Sequence, residues 1–245
     1  MHDNNYSHSE VYDLSVTSLN AFMVKVFGWL FFGLMLTAAT SFIFINSIAS
    51  GADAAISLAS NSAFYFGLLI AQLILVFALS RSIQRIGAFT AKLMYSVYAI
   101  LNGITISFII MMYIGMGSGH AVTQAFLMAS VFFGVMCIYG YFTKADLTSL
   151  GRILMMGLIA IIITMVINVF LGSSSMDFII SIIGLAIFIG LTAYDVQKIK
   201  NHYYHYAANS GEEMASKTAI FGALTLYLDF INMFLFILRI LGRRR

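Results

Sequence analysis

An all-α polytopic membrane protein, a seven-helix bundle with its last helix central, is the fold class this sequence predicts. Three observations lead there. The chain contains seven apolar stretches, each near the ~20 residues that a helix needs to cross a bilayer. Only 9% of its 245 residues are charged and 61% are hydrophobic, with a mean hydropathy of +0.94, whereas soluble domains carry roughly 25% charge. And the basic residues are sorted into alternate connections, the pattern expected when one set of loops stays in the cytoplasm.

Taken in order, residues 1–21 form a polar tail rich in Asn, Ser, His and Asp, without Lys or Arg. It therefore lacks the basic start of a cleavable signal peptide, and a disordered tail is expected. Residues 22–245 then read as a single transmembrane domain. Its spans fall at about 26–48, 62–80, 93–113, 121–142, 153–171, 178–197 and 218–240. Gly115-Met116-Gly117-Ser118-Gly119 and Gly172-Ser173-Ser174-Ser175 break the chain after the third and fifth spans, so the helices they join are antiparallel hairpins. The connection 198–217 carries Tyr203, Tyr204 and Tyr206, aromatic residues suited to a membrane interface. The chain has no proline, so kinks must use glycine, as at Gly184 and Gly190. One cysteine, Cys137, excludes an internal disulfide framework.

Orientation follows from charge. Lys25, then Arg81, Arg85 and Lys92, then Lys144 and Arg152, then Lys198, Lys200 and Lys217 all lie on one side of this arrangement. Loops 49–61, 114–120 and 172–177 contain no Lys or Arg. The N-terminus is therefore expected in the cytoplasm. Arg239, Arg243, Arg244 and Arg245 end the chain and oppose this rule if the last segment crosses fully. A re-entrant segment would keep them inside, and the charge pattern leaves both readings open.

Of ten acidic residues, eight fall in the tail, in loops or at a segment start; Asp195 and Asp229 lie in the last two spans. A charged residue at the centre of a spanning helix costs roughly 2.5–3.5 kcal/mol on insertion scales, and such residues mark ion pathways and proton relays. Asp229 and Asn232 are i and i+3 and share a helix face, in a segment that also carries Thr225 and Tyr227. Polar groups at that depth belong against protein or water, which is why this helix is placed in the middle. Counted along the predicted spans, the two acids could differ in depth by roughly 10 Å. A slightly longer sixth helix, or a lower start to the seventh, would bring them together. Two carboxyl groups in that setting cannot both ionise easily, and one proton would be shared. Arg81, closing the second span, is the cation to latch such a pair once it is ionised. The plainer alternatives are Asp195 paired with Lys198 at a wet helix end, and Asp229 satisfied by Asn232 or Tyr227.

Leu191-Thr192-Ala193-Tyr194-Asp195-Val196-Gln197-Lys198-Ile199, followed by Leu226-Tyr227-Leu228-Asp229-Phe230-Ile231-Asn232-Met233-Phe234, resembles the signature of the transmembrane Bax inhibitor motif family. The hydropathy pattern from about residue 22 to the end agrees. The resemblance implies a central seventh helix, a proton-responsive aspartate pair at Asp195 and Asp229, and a full seventh crossing. For members with an assigned function it implies a calcium leak, and Arg81 matches the basic residue closing the second helix. Some relatives place an acid in the second helix where this chain has Gln72, a departure that argues against strong ion affinity.

Calcium is a hard cation that takes 6–8 oxygens. Asp195 and Asp229 with Asn232, Thr225, Gln72, backbone carbonyls and water would make a weak, transient stop, which suits passage better than storage. The expected function is accordingly a pH-sensitive calcium leak in a bacterial inner membrane, with calcium as permeant ion and no cofactor. A different class of function is a regulator of other membrane machinery, such as a quality-control protease, with the N-terminal tail (His2, His8, Glu10, Asp13) as its handle. An enzyme is not expected. Tyr194-Asp195 resembles one half of an intramembrane aspartyl protease, but Asp229 sits in Leu-Tyr-Leu-Asp rather than Gly-x-Gly-Asp, and the Pro-Ala-Leu element has no counterpart. Gly117-Ser118-Gly119-His120 fills a short turn, and His202 with His205 lacks a third metal ligand. No phosphate-binding Gly-x-x-x-x-Gly-Lys pattern occurs, and the net charge of +3 needs no nucleic-acid partner.

Overall fold

The computed structural model describes residues 8–82, 85–204 and 211–243. These residues form eight α-helices: α1 (His8–Ala49), α2 (Asp53–Ala59), α3 (Ser62–Ser82), α4 (Ala88–Gly115), α5 (Gly119–Phe142), α6 (Thr148–Leu171), α7 (Ser174–His202) and α8 (Gly211–Gly242). All but α2 are long and apolar enough to span a membrane, and the described residues contain no strand. The protein is thus a multi-pass integral membrane protein.

Two details depart from the sequence reading. Helix α1 begins at His8, inside the polar stretch expected to be disordered, while residues 1–7 lie outside the described residues. Helix α2 occupies the connection 49–61; at seven residues it is invisible to a hydropathy scan, and Asp53 in its first turn suits the positive end of a helix.

Helix α8 is the axis of the bundle. It packs against α1, α4, α5 and α7, whereas α3 lies outside on α4, and α6 outside on α7. The sequence reading placed six helices around it; four touch it closely. Ala219, Ala223, Leu224, Leu226, Tyr227, Asp229, Phe230, Met233, Phe236 and Ile237 are buried and together cover about two-thirds of its circumference, far more than the single stripe of a surface helix. Helix α6 shows the reverse: Ile153, Met156, Ile159, Ile163, Val166 and Phe170 are exposed, an apolar surface suited to lipid.

The question of the last segment resolves as a full crossing of the bundle. Thirty-two residues of unbroken α8 reach ~48 Å. At its start the Lys217 ammonium donates to the Ile86 carbonyl between α3 and α4, 3.1 Å away, and lies 3.9 Å from Glu213. At its end the Arg243 guanidinium donates to the carbonyl of Ser174, the first residue of α7. Arg239 shares a cleft there with Tyr65, Tyr113 and Asp177. The C-terminal arginines Arg239 and Arg243 therefore sit at the bundle end whose loops lack basic residues. Arg244 and Arg245 lie outside the described residues.

Candidate functional site

Helices α7 and α8 are antiparallel neighbours whose register is set by small residues against large ones. Gly222 of α8 faces Ile199, and Gly184 of α7 faces the Phe236 ring so closely that an added Cβ would lie 2.5 Å from it. Between these two contacts the register carries Asp195 and Asp229 to the same level. The depth gap counted from the hydropathy boundaries vanishes because both helices run on past the apolar stretches, α7 to His202 and α8 back to Gly211. Charged residues at those ends, such as Glu213 and Lys200, are compatible with helix and invisible to hydropathy.

Both aspartates are buried, with 5% and 4% of their surface exposed, and their carboxyl groups lie close enough to act on each other. Carboxylates only accept, so a bond between them needs a proton held by one. Asp229 Oδ2 is buried with no hydrogen-bond donor on it among the described residues. The plainer alternatives fare differently. The Asn232 amide donates to the Leu228 carbonyl at 2.8 Å, and the Tyr227 hydroxyl pairs with Thr37 at 2.6 Å, so neither satisfies Asp229. Lys198 acts electrostatically on both acids, but its ammonium stands over the Tyr194 ring, 5.7 Å from the centroid. Among the described residues no ion pair joins it to either acid.

Helix α5 closes the site from a third side. Gly140 lets its backbone approach α7 so nearly that a Cβ there would strike the Ala193 carbonyl oxygen. One turn earlier, Cys137 is buried within electrostatic reach of Asp229. On the side of the basic loops, Gln197 clamps the α5–α6 connection: its amide donates to Ala145 O at 2.7 Å and accepts from Leu147 N–H at 2.9 Å. Within that connection Asp146 accepts from Thr148 N–H at 2.9 Å at the start of α6. Hydrogen bonds from the Thr148 side chain and backbone hold the Asp146 carboxyl below the usual carboxylate range. Gln197 was legible as part of Tyr-Asp-x-Gln, though its role was not. Nothing in the spacing pointed to Cys137, Gly140 or Thr37.

The remaining candidates are not gathered at the pair. Thr225 donates to the Phe221 carbonyl at 3.1 Å, the usual refuge of a helical hydroxyl. Gln72 is buried on α3 and donates to Thr105 Oγ1 of α4 at 2.5 Å. Arg81 is exposed at the end of α3, and among the described residues it makes no ion pair with Asp195 or Asp229. No cluster of three or more His, Cys, Asp or Glu that could hold a metal exists among the described residues. His202 belongs to the end of α7, and His205 lies outside the described residues.

The fold and site together define a polytopic membrane protein with a buried acid pair between the last two of its seven spans. The comparisons with known proteins give that class its family. The family described as "Inhibitor of apoptosis-promoting Bax1" matches residues 19–245. The chain is 40% identical over 227 residues to the inner membrane protein YbhL of Escherichia coli K12, covering 93% of each chain. It is 39% identical over 226 residues to a protein of Borreliella burgdorferi, covering 92% of this chain and 93% of the other. A membrane protein of Streptococcus pyogenes is 36% identical over 233 residues, 95% of this chain and 97% of its own. The chain therefore belongs to the Bax inhibitor-like family of membrane proteins.

Proposed function

We propose that this protein is a pH-sensitive calcium leak of a bacterial inner membrane, gated by Asp195 and Asp229. The observation that carries the reading is the contact between these two buried side chains, with Asp229 Oδ2 left without a donor. While one proton bridges them the pair bears a single negative charge and locks α7 to α8. Loss of that proton leaves two like charges together in a low dielectric, an arrangement that must separate or gain a cation. Calcium is one such cation, held weakly because two carboxylates fall short of the oxygens it takes. Arg81 acts as the latch on the ionised pair only after α3 and α4 rearrange; at rest it is exposed.

Proteoliposomes loaded with a calcium dye test this. Wild type should pass calcium at a rate that changes with pH. Asp195→Asn and Asp229→Asn each remove the titration at nearly constant shape and should flatten that response. Arg81→Ala should raise the basal leak. Purified protein that passes no calcium at any pH would refute the reading and favour a regulator of other membrane machinery.

A further inference from the structure

A second site lies at the bundle end opposite the basic loops, in the cleft that Arg239 shares with Tyr65, Tyr113 and Asp177. Its volume is about 480 Å³, within the ~300–1,000 Å³ of pockets that hold a ligand. Four helices bound it: α3 brings Tyr65, α4 Tyr113, α7 Asp177 and α8 Arg239. Helix α3 packs on α4, and α7 on α8, but α3 and α7 do not pack closely on each other, so the cleft opens sideways between them. Met112 on its wall is 49% exposed and carries the cleft into the apolar outer surface that lipid covers.

The polar groups of this cleft do not satisfy one another. Arg239 and Asp177 both act electrostatically on Tyr113, yet among the described residues no ion pair joins them. Nor, among those residues, is the Asp177 carboxylate or either tyrosine hydroxyl hydrogen-bonded. The Arg239 guanidinium stands over the Phe236 ring, 5.6 Å from its centroid. Arg243 is engaged differently, by the Ser174 carbonyl and the Phe178 ring. Tyr113 is held in place, because Gly242 packs on its ring so closely that no Cβ would fit. The cleft thus presents a cation, an anion and two hydroxyls, each with bonding capacity left over.

We propose that this cleft binds the phosphoethanolamine headgroup of a membrane phospholipid, with the phosphate on Arg239 and the ammonium on Asp177. The occupant has to carry both charges, since Asp177 repels a purely anionic headgroup and Arg239 a purely cationic one. A guanidinium matches a phosphate through two parallel N–H···O bonds, and the tyrosine hydroxyls can donate to the same group. Depth selects a lipid over a soluble molecule of like chemistry. Tyr65 lies three residues inside the span 62–80, Tyr113 ends 93–113, Asp177 precedes 178–197, and Arg239 is one residue inside the end of 218–240. All four therefore fall within ~5 Å of one hydrocarbon boundary, where phospholipid headgroups begin. The leaflet is the one opposite the basic loops.

Native mass spectrometry of the full chain in detergent separates the contributions. The probes are dioleoyl phosphatidylethanolamine and dioleoyl phosphatidylglycerol, which share chains and phosphate and differ in the ammonium. Wild type should retain one phosphatidylethanolamine and favour it over phosphatidylglycerol about tenfold, as one charge-assisted hydrogen bond provides. Asp177→Asn should erase that preference by raising retention of phosphatidylglycerol, a gain that mere damage to the fold would not produce. Arg239→Gln should reduce retention of both lipids. Equal retention of the two lipids by wild type overturns the proposal, as does retention of neither. So does a preference that survives Asp177→Asn. Displacement of the lipid by an equal amount of soluble glycerophosphoethanolamine would overturn the membrane source. If Arg239→Gln fails to fold, the comparison of wild type with Asp177→Asn still decides.

Discussion

The Tyr227 hydroxyl lies 2.6 Å from that of Thr37, and Thr37 in turn donates to the Ala99 carbonyl at 3.0 Å. One chain of hydrogen bonds therefore pins α8 to α1 and α4. Asp229 follows Tyr227 by two residues, about 200° around the helix, and meets Asp195 on the opposite side. The central helix is thus anchored on one face and carries its buried acid on the other.

That anchor should be measurable. Tyr227→Phe removes one buried bond and should cost about 0.6 kcal/mol, the average for hydrogen bonds between membrane helices. Thr37→Val should cost more, ~1–3 kcal/mol, because it leaves the Tyr227 hydroxyl buried without an acceptor. Denaturant unfolding in detergent checks the order; a Thr37→Val protein as stable as Tyr227→Phe would argue against the chain of bonds.

The approach of α5 to α7 predicts a contrast between two glycines of α5. Gly140→Ala should destabilise by roughly 1–3 kcal/mol, since its Cβ meets the Ala193 carbonyl and α7 cannot yield without moving Asp195. Gly134 has open space around it, so Gly134→Ala should be neutral or stabilise by up to about 1 kcal/mol. Thermal unfolding of the pair is sufficient, and equal effects would refute the close packing.

Gln197 holds the α5–α6 connection by two bonds. Gln197→Ala should speed hydrogen exchange of the Leu147 amide by about tenfold or more, while the amides of α8 keep their protection. Unchanged exchange at Leu147 would mean that the clamp is not formed in the membrane.

The fold was legible because hydropathy reports what a bilayer selects, and each of the seven predicted spans lies inside one of the seven long helices. What escaped lay outside that signal. Helix α2 is too short, and the wet ends of α7 and α8 too polar, to register, so the acids were counted at different depths. The aspartates themselves stood out as charges in apolar segments. Gly140 and Thr37 did not, because a glycine at a helix contact and a hydroxyl bonded across helices look ordinary in one sequence. Asn232 and Thr225 misled for a related reason: each can turn back to its own helix carbonyl, and in the structure each does.

The full crossing of α8 predicts that the chain ends on the side opposite the α5–α6 connection. Reporter fusions after Arg245 and within 143–147 should therefore give opposite signals. Identical signals would restore the re-entrant reading that the terminal arginines invite.

The proton between Asp195 and Asp229 is the centre of the account, and infrared difference spectroscopy of the protein in lipid reads it most directly. A carbonyl stretch of a protonated carboxylic acid should be present in wild type and shift in deuterated water. It should disappear over the same pH interval in which the calcium leak changes, and Asp195→Asn and Asp229→Asn should each abolish or displace it. A wild-type protein whose leak responds to pH while no such band titrates, or whose band survives both substitutions unchanged, would contradict the account.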